Sequence, residues 1–121
     1  MSAENLFPVT TECHAHSGYV FARHLLNGQI PAELLSGPIY LTRRIDIDTP
    51  ETRYTHGVLS HFGVGSDEID VRAIADTMSQ RLQHTGKVII RPVVGTYDLP
   101  VSEQTKESDL LPGLIIRLAT D

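Results

Sequence analysis

The chain has 121 residues, one cysteine, no tryptophan and 40% apolar residues, which is typical of one domain spanning residues 1–121. The single Cys13 excludes an intrachain disulfide, and no apolar run approaches the roughly 18 residues of a membrane span. Fifteen acidic and ten basic residues give a net charge of −5, the wrong sign for a domain that grips the phosphates of DNA. Because the N-terminus has no signal-peptide pattern, we expect an intracellular or particle-associated protein.

Two helical segments are predicted in the N-terminal third, after a flexible arm at residues 1–10. Apolar residues between Thr11 and Asn27 favour a helix, although Gly18 in its middle costs about 1 kcal/mol relative to alanine. Pro31 to Leu35 predicts one further helical turn with proline at its first position.

A β-hairpin is predicted next. Apolar and polar residues alternate from Ile39 to Ile47, which indicates a half-buried strand whose apolar side is interrupted by Arg43. Tyr54 to Phe62 predicts a second strand, and the turn at residues 48–51 suits an antiparallel pair. His56 would then lie at the sheet surface or at a subunit contact.

The strongest predicted element is a helix from about Asp67 to Thr85, capped by Ser66. Five apolar residues share a stripe about 100° wide: Val71, Ile74, Ala75, Met78 and Leu82. Three acidic residues suit the positive end of the helix dipole: Asp67, Glu68 and Asp70. The helix is expected to cover one face of a sheet.

Two further strands are predicted, from Lys87 to Val94 and from Leu114 to Ala119, both apolar enough on two faces to be central. Pro92 is expected to mark a bulge or the end of regular pairing. Residues 100–110 predict a polar loop that contacts a partner or lines a lumen. The expected fold class is therefore α+β, a mixed and mostly antiparallel sheet of about four strands with two helices packed on it.

Reactive constellations are scarce. The best metal-ligand cluster is Cys13, His14 and His16, but no further ligands follow at a recognisable spacing. Cys13 has no motif that supplies an oriented base, so a semi-buried thiol is the simpler interpretation. The sequence predicts no catalytic residue, no metal site and no cofactor.

The stretch from Tyr54 to Leu82 resembles the strand-then-helix core of tail-terminator proteins from long-tailed bacteriophages. A helix ending in Leu25-Leu26 precedes this core, and a strand of the type Leu114 to Leu118 closes the domain. The resemblance implies a virion protein, assembled in the host cytoplasm, that forms a ring, usually hexameric. Such a ring ends the tail tube and joins it to the head connector or stopper, while DNA passes through without specific binding.

Nine residues are predicted to face the lumen or a partner: Arg43, Arg44, His56, Asp67, Glu68, Asp70, Glu103, Lys106 and Glu107. The two adjacent arginines are interpreted as ion-pair residues within or between subunits. Six copies at −5 each carry −30, and an acidic lumen keeps DNA from adhering. The alternatives are a small oligomeric α+β enzyme and a metal-binding module built on Cys13, His14 and His16.

Overall fold

A computed structural model describes residues 14–43, 49–65, 67–94 and 112–119. The elements in chain order are α1 (His14–Leu26), α2 (Ala32–Leu35), β1 (Ile39–Thr42), α3 (Pro50–His61), α4 (Val71–Arg81), β2 (Val88–Val93) and β3 (Gly113–Leu118). The α+β class is confirmed. Within the described ranges the sheet has three strands rather than about four, and the helices number four rather than two.

The predicted second strand is wrong, because residues 50–61 form helix α3. Thr49 is the N-cap: its hydroxyl accepts a hydrogen bond from the Thr52 amide at 3.3 Å, and the Thr52 hydroxyl accepts one from the Thr49 amide at 2.9 Å. Pro50 follows at the first helical position, where its missing N–H costs nothing. Tyr54 and Val58 are buried four residues apart, which is helical spacing. The segment read as a hairpin turn is therefore a helix start.

Helix α3 ends in a glycine turn that leads towards α4. Gly63 has φ +81°, a backbone conformation that glycine adopts without strain, and the Val64 amide donates to the Leu59 carbonyl at 2.9 Å. This wrapped end is a common helix C-terminus. Residues 63–65 thus connect two helices, α3 and α4, whereas the sequence predicted that they connect a strand to a helix.

Helix α4 is shorter than predicted. Asp70 is its N-cap, with its carboxylate accepting from the Arg72 amide, and Leu82 is its C-cap; Ser66 lies outside the described residues. The predicted apolar stripe is confirmed, since all five of its members are at most 5% exposed. Through this stripe α4 packs on the sheet.

Helices α1 and α3 cross with their backbones in contact. A Cβ on Gly18 would overlap the carbonyl oxygen of Tyr54, and one on Gly57 would overlap the carbonyl oxygen of Ala15. Gly18, which the sequence shows only as a weak point of the first helix, is thus required by close packing.

The sheet has the order β1-β3-β2 and both pairs are antiparallel. β3 is central as predicted, but β2 is at the edge of the sheet formed by the described residues. The Ala119 amide donates to the Lys87 carbonyl at 2.8 Å, and because bonded and non-bonded positions alternate, the nitrogen of Pro92 faces away from β3. Pairing therefore continues through Pro92 to Val93, opposite Gly113, without a bulge.

The main core lies between the helices and one face of the sheet, called the first face here. Ile90 in β2 and Ile116 in β3 are paired on it, and both join the cluster that includes Ile74 and Met78 of α4. The opposite, second face carries a smaller buried cluster of Tyr40, Val93 and Ile115. None of the described helices is long and apolar enough to span a bilayer.

Candidate functional site

A buried arginine joins three parts of the fold. Arg43 follows β1 and is 3% exposed. Its Nε and Nη2 donate to the Glu68 carbonyl oxygen at 3.0 and 2.7 Å, and its Nη1 lies 3.0 Å from Nε2 of His56. Because a guanidinium only donates, His56 accepts through Nε2 and carries its proton on Nδ1. We call this arrangement the Arg43 clasp; it ties the end of β1 to α3 and to the turn before α4.

The turn that the clasp holds, residues 67–70, is called the acidic turn here. The Glu68 amide donates to the Gly65 carbonyl at 3.2 Å, and Oε1 of Glu68 accepts from the Asp70 amide at 3.0 Å. Oδ1 of Asp70 accepts from the Arg72 amide at 3.1 Å, which caps α4. Asp67 and Asp70 are exposed and Glu68 is half-buried. The acidic turn therefore presents carboxylates to solvent, and its backbone is held by the buried Arg43.

A cleft of about 440 Å³ adjoins the clasp. Its polar lining is Tyr19, Arg43, His56 and Ser60. A serine beside a histidine suggests a nucleophile and a base, but the Nε2 of His56 already accepts from Arg43 at 3.0 Å. The pair therefore lacks the oriented base that nucleophilic catalysis needs.

The structure brings together five of the nine predicted interface or lumen residues: Arg43, His56, Asp67, Glu68 and Asp70. His56 does so from an exposed position on α3, not from a strand as predicted. The other four, Arg44, Glu103, Lys106 and Glu107, lie outside the described residues. The predicted loop at residues 100–110 and the predicted arm at residues 1–10 also lie outside the described residues.

The described part of the chain provides no support for the alternative metal cluster of Cys13, His14 and His16. His16 is exposed on α1, Cys13 lies outside the described residues, and only the backbone of His14 is described. Among the described residues no three histidine, cysteine, aspartate or glutamate side chains are grouped closely enough to hold a metal ion.

A second unusual polar group, Tyr54, lies in the core. Its side chain is 1% exposed and packs against Phe21 with ring centroids 5.8 Å apart. Its buried hydroxyl has no hydrogen-bond partner among the described residues. Burial raises the pKa of this hydroxyl well above its usual value near 10, and the charge of Glu33 raises it further. No sequence signal predicted this, because a tyrosine on the expected surface strand would have an exposed hydroxyl.

Comparisons with known proteins assign no family. No family model, no characterised protein and no solved structure matches the chain. Because one fold hosts many functions, function has to be argued from the site itself.

Proposed function

We propose that this chain is a structural virion subunit that assembles into a ring, ends the tail tube of a long-tailed bacteriophage and joins it to the head connector or stopper. DNA passes through the ring without specific binding. The proposal rests on the parts of the resemblance that the fold keeps, namely the helix ending in Leu25-Leu26, helix α4 and the closing strand β3. Residues 54–61 depart from the resemblance, because they are helical and not a strand. The proposal rests further on one structural observation, the acidic turn fixed by the Arg43 clasp.

The Arg43 clasp supports an interface or lumen role because it holds a surface turn with a buried charge, and burying a charge is unfavourable in free energy. Burying a guanidinium removes several kcal/mol of hydration, and here two of its nitrogens donate to the backbone of the turn at Glu68. The exposed carboxylate of Asp70 is held by the Arg72 amide, and the exposed Asp67 belongs to the same turn. A fixed acidic surface suits either a specific contact or a repulsive lining along a DNA path.

Charge supports the same role. A subunit at −5 makes a ring of six copies strongly acidic, and such a ring repels the phosphates that pass through it. The described cleft, by contrast, lacks a catalytic constellation. A structural role therefore accounts for more of the described features than an enzymatic one.

Electron microscopy of the purified protein tests the proposal, alone and mixed with isolated tail tubes. We expect closed rings of about six copies, in solution or at one end of the tube. Closed dimers or trimers with a central pocket, and no binding to tube ends, would contradict the proposal and favour the small-enzyme alternative.

A further inference from the structure

The second face of the sheet carries a basic patch, which we define as Lys87, Ile89 and Arg117. The register pairs Ile89 with Arg117. The Ala119 amide donates to the Lys87 carbonyl at 2.8 Å, so pairing continues one residue before β2 and Lys87, two residues from Ile89, lies on the same face. Lys87 is exposed, while Ile89 and Arg117 are half-buried. Arg91 lies on this face too, opposite Ile115. Basic side chains thus surround a half-exposed isoleucine on a chain whose net charge is −5.

The basic patch and the acidic turn of one subunit lie far apart. Helix α4 packs on the first face, through Ile74 and Met78, whereas the patch is on the second face. The acidic turn precedes α4, and the patch begins after its C-terminal end. Eleven residues of helix span roughly 16 Å. The two surfaces cannot meet within one subunit, but they can meet between two copies.

We infer that the basic patch of one copy binds the acidic turn of the next copy. This inference rests on the proposed function, because it names a contact of the proposed ring. The charges of the two surfaces are opposite, and the Arg43 clasp already fixes the turn, so little conformational freedom is lost on binding. Contact between two different surfaces is head-to-tail, and this is the geometry that closes into a ring.

The test uses three charge-reversed double variants of the full chain. The first, Lys87→Glu with Arg117→Glu, reverses the basic patch. The second, Asp67→Lys with Glu68→Lys, reverses the acidic turn. The control, Arg23→Glu with Arg53→Glu, makes the same change in net charge as the first variant at two exposed positions on α1 and α3. Circular dichroism confirms that each variant is folded.

Sedimentation at about 0.15 M salt measures assembly. Like charges that face each other across an interface oppose binding, so either reversal should lower the association constant about 100-fold or more, while the control assembles like the wild type. Mixing the two reversed variants should restore assembly, because in an alternating ring every contact again joins opposite charges. An alternating ring also requires an even number of subunits, which a hexamer provides.

The outcomes separate the inference from the proposed function. If the wild type forms rings and the Lys87→Glu, Arg117→Glu variant forms them equally well, the inference is overturned and the ring proposal still stands. A wild-type protein that neither self-associates nor binds tail tubes would overturn both. Binding of a single-stranded oligonucleotide that is lost with the patch, while assembly is unaffected, would reassign the patch to nucleic acid and overturn the inference.

Discussion

Replacing Arg43 by methionine tests whether the clasp holds the acidic turn. Methionine has similar length but no donors, so the two hydrogen bonds to the Glu68 carbonyl and the one to His56 are lost. Nothing else in β1 needs to move, because Arg43 lies just beyond its last residue, Thr42. The substitution therefore reports mainly on the link between β1, α3 and the turn.

The expected change in the free energy of unfolding depends on whether water can replace each hydrogen bond that Arg43 made. A hydrogen bond to a charged group contributes roughly 1.5–3 kcal/mol, but the Glu68 carbonyl and the exposed His56 can be rehydrated. Removing the buried guanidinium also removes its desolvation cost, which is a stabilising term. We expect a net loss of about 2 kcal/mol in the free energy of unfolding, a sizeable part of the roughly 5–15 kcal/mol of a domain.

Two measurements check this prediction. Urea unfolding followed by circular dichroism gives the stability, and hydrogen exchange at the Asp70 and Arg72 amides reports on the turn itself. Both amides should exchange faster in Arg43→Met, whereas Arg23→Met, at an exposed position on α1, should change little. Stability within about 0.5 kcal/mol of the wild type, together with unchanged exchange at both amides, would refute a holding role for Arg43.

Three further substitutions test the packing and the helix ends. Tyr54→Phe removes a buried hydroxyl without a partner, so stability at pH 7 should stay equal or rise by up to about 1 kcal/mol; a loss of stability would reveal a partner for the hydroxyl. The raised pKa of Tyr54 means that its hydroxyl ionises less readily in the folded state than in the unfolded state. The wild type should therefore lose stability relative to Tyr54→Phe as pH rises above about 10, where the unfolded state releases this proton. Stability curves of the two proteins that stay parallel across this pH range would contradict the prediction. Gly18→Ala places a methyl group on the Tyr54 carbonyl and should lower the free energy of unfolding by about 2 kcal/mol or more, whereas an unchanged urea midpoint would mean that the helices separate freely. Thr49→Ala removes the cap of α3 and should cost about 1 kcal/mol; thermal unfolding at the wild-type temperature would count against the capping box.

The sequence predicted best those elements whose pattern is local and strong. The stripe of α4, the first helix and the closing strand each show their periodicity within their own residues, and each was found. The segment 50–61 failed because two local signals pointed in different directions. Its threonines and glycine suggested a strand and a turn, whereas Thr49-Pro50 is equally a helix start. The buried spacing of Tyr54 and Val58, which decides the matter, depends on α1 being the neighbour.

The candidate site also depends on a contact between residues far apart in the chain, which local sequence patterns do not reveal. A lone Arg43 on the apolar side of a strand predicted a partner, and the expected partner was a carboxylate. Among the described contacts, two of its nitrogens donate to a backbone carbonyl, that of Glu68, 25 residues away. Every residue has such a carbonyl, so no residue type could mark it in the sequence. The acidic residues were visible as helix-terminal charges, but only the fold shows that a buried cation fixes the backbone beneath them. That link turns an ordinary acidic helix start into a surface of defined shape, which is why the charge reversal of Asp67 and Glu68 and the removal of Arg43 should impair assembly in different ways. The first removes the Glu68 side-chain acceptor of the Asp70 amide but keeps the two Arg43 bonds to the backbone carbonyl of residue 68, so its main effect is on the sign of the surface and an oppositely charged partner rescues it. The second removes the Arg43 bonds, loosens the turn and is not rescued.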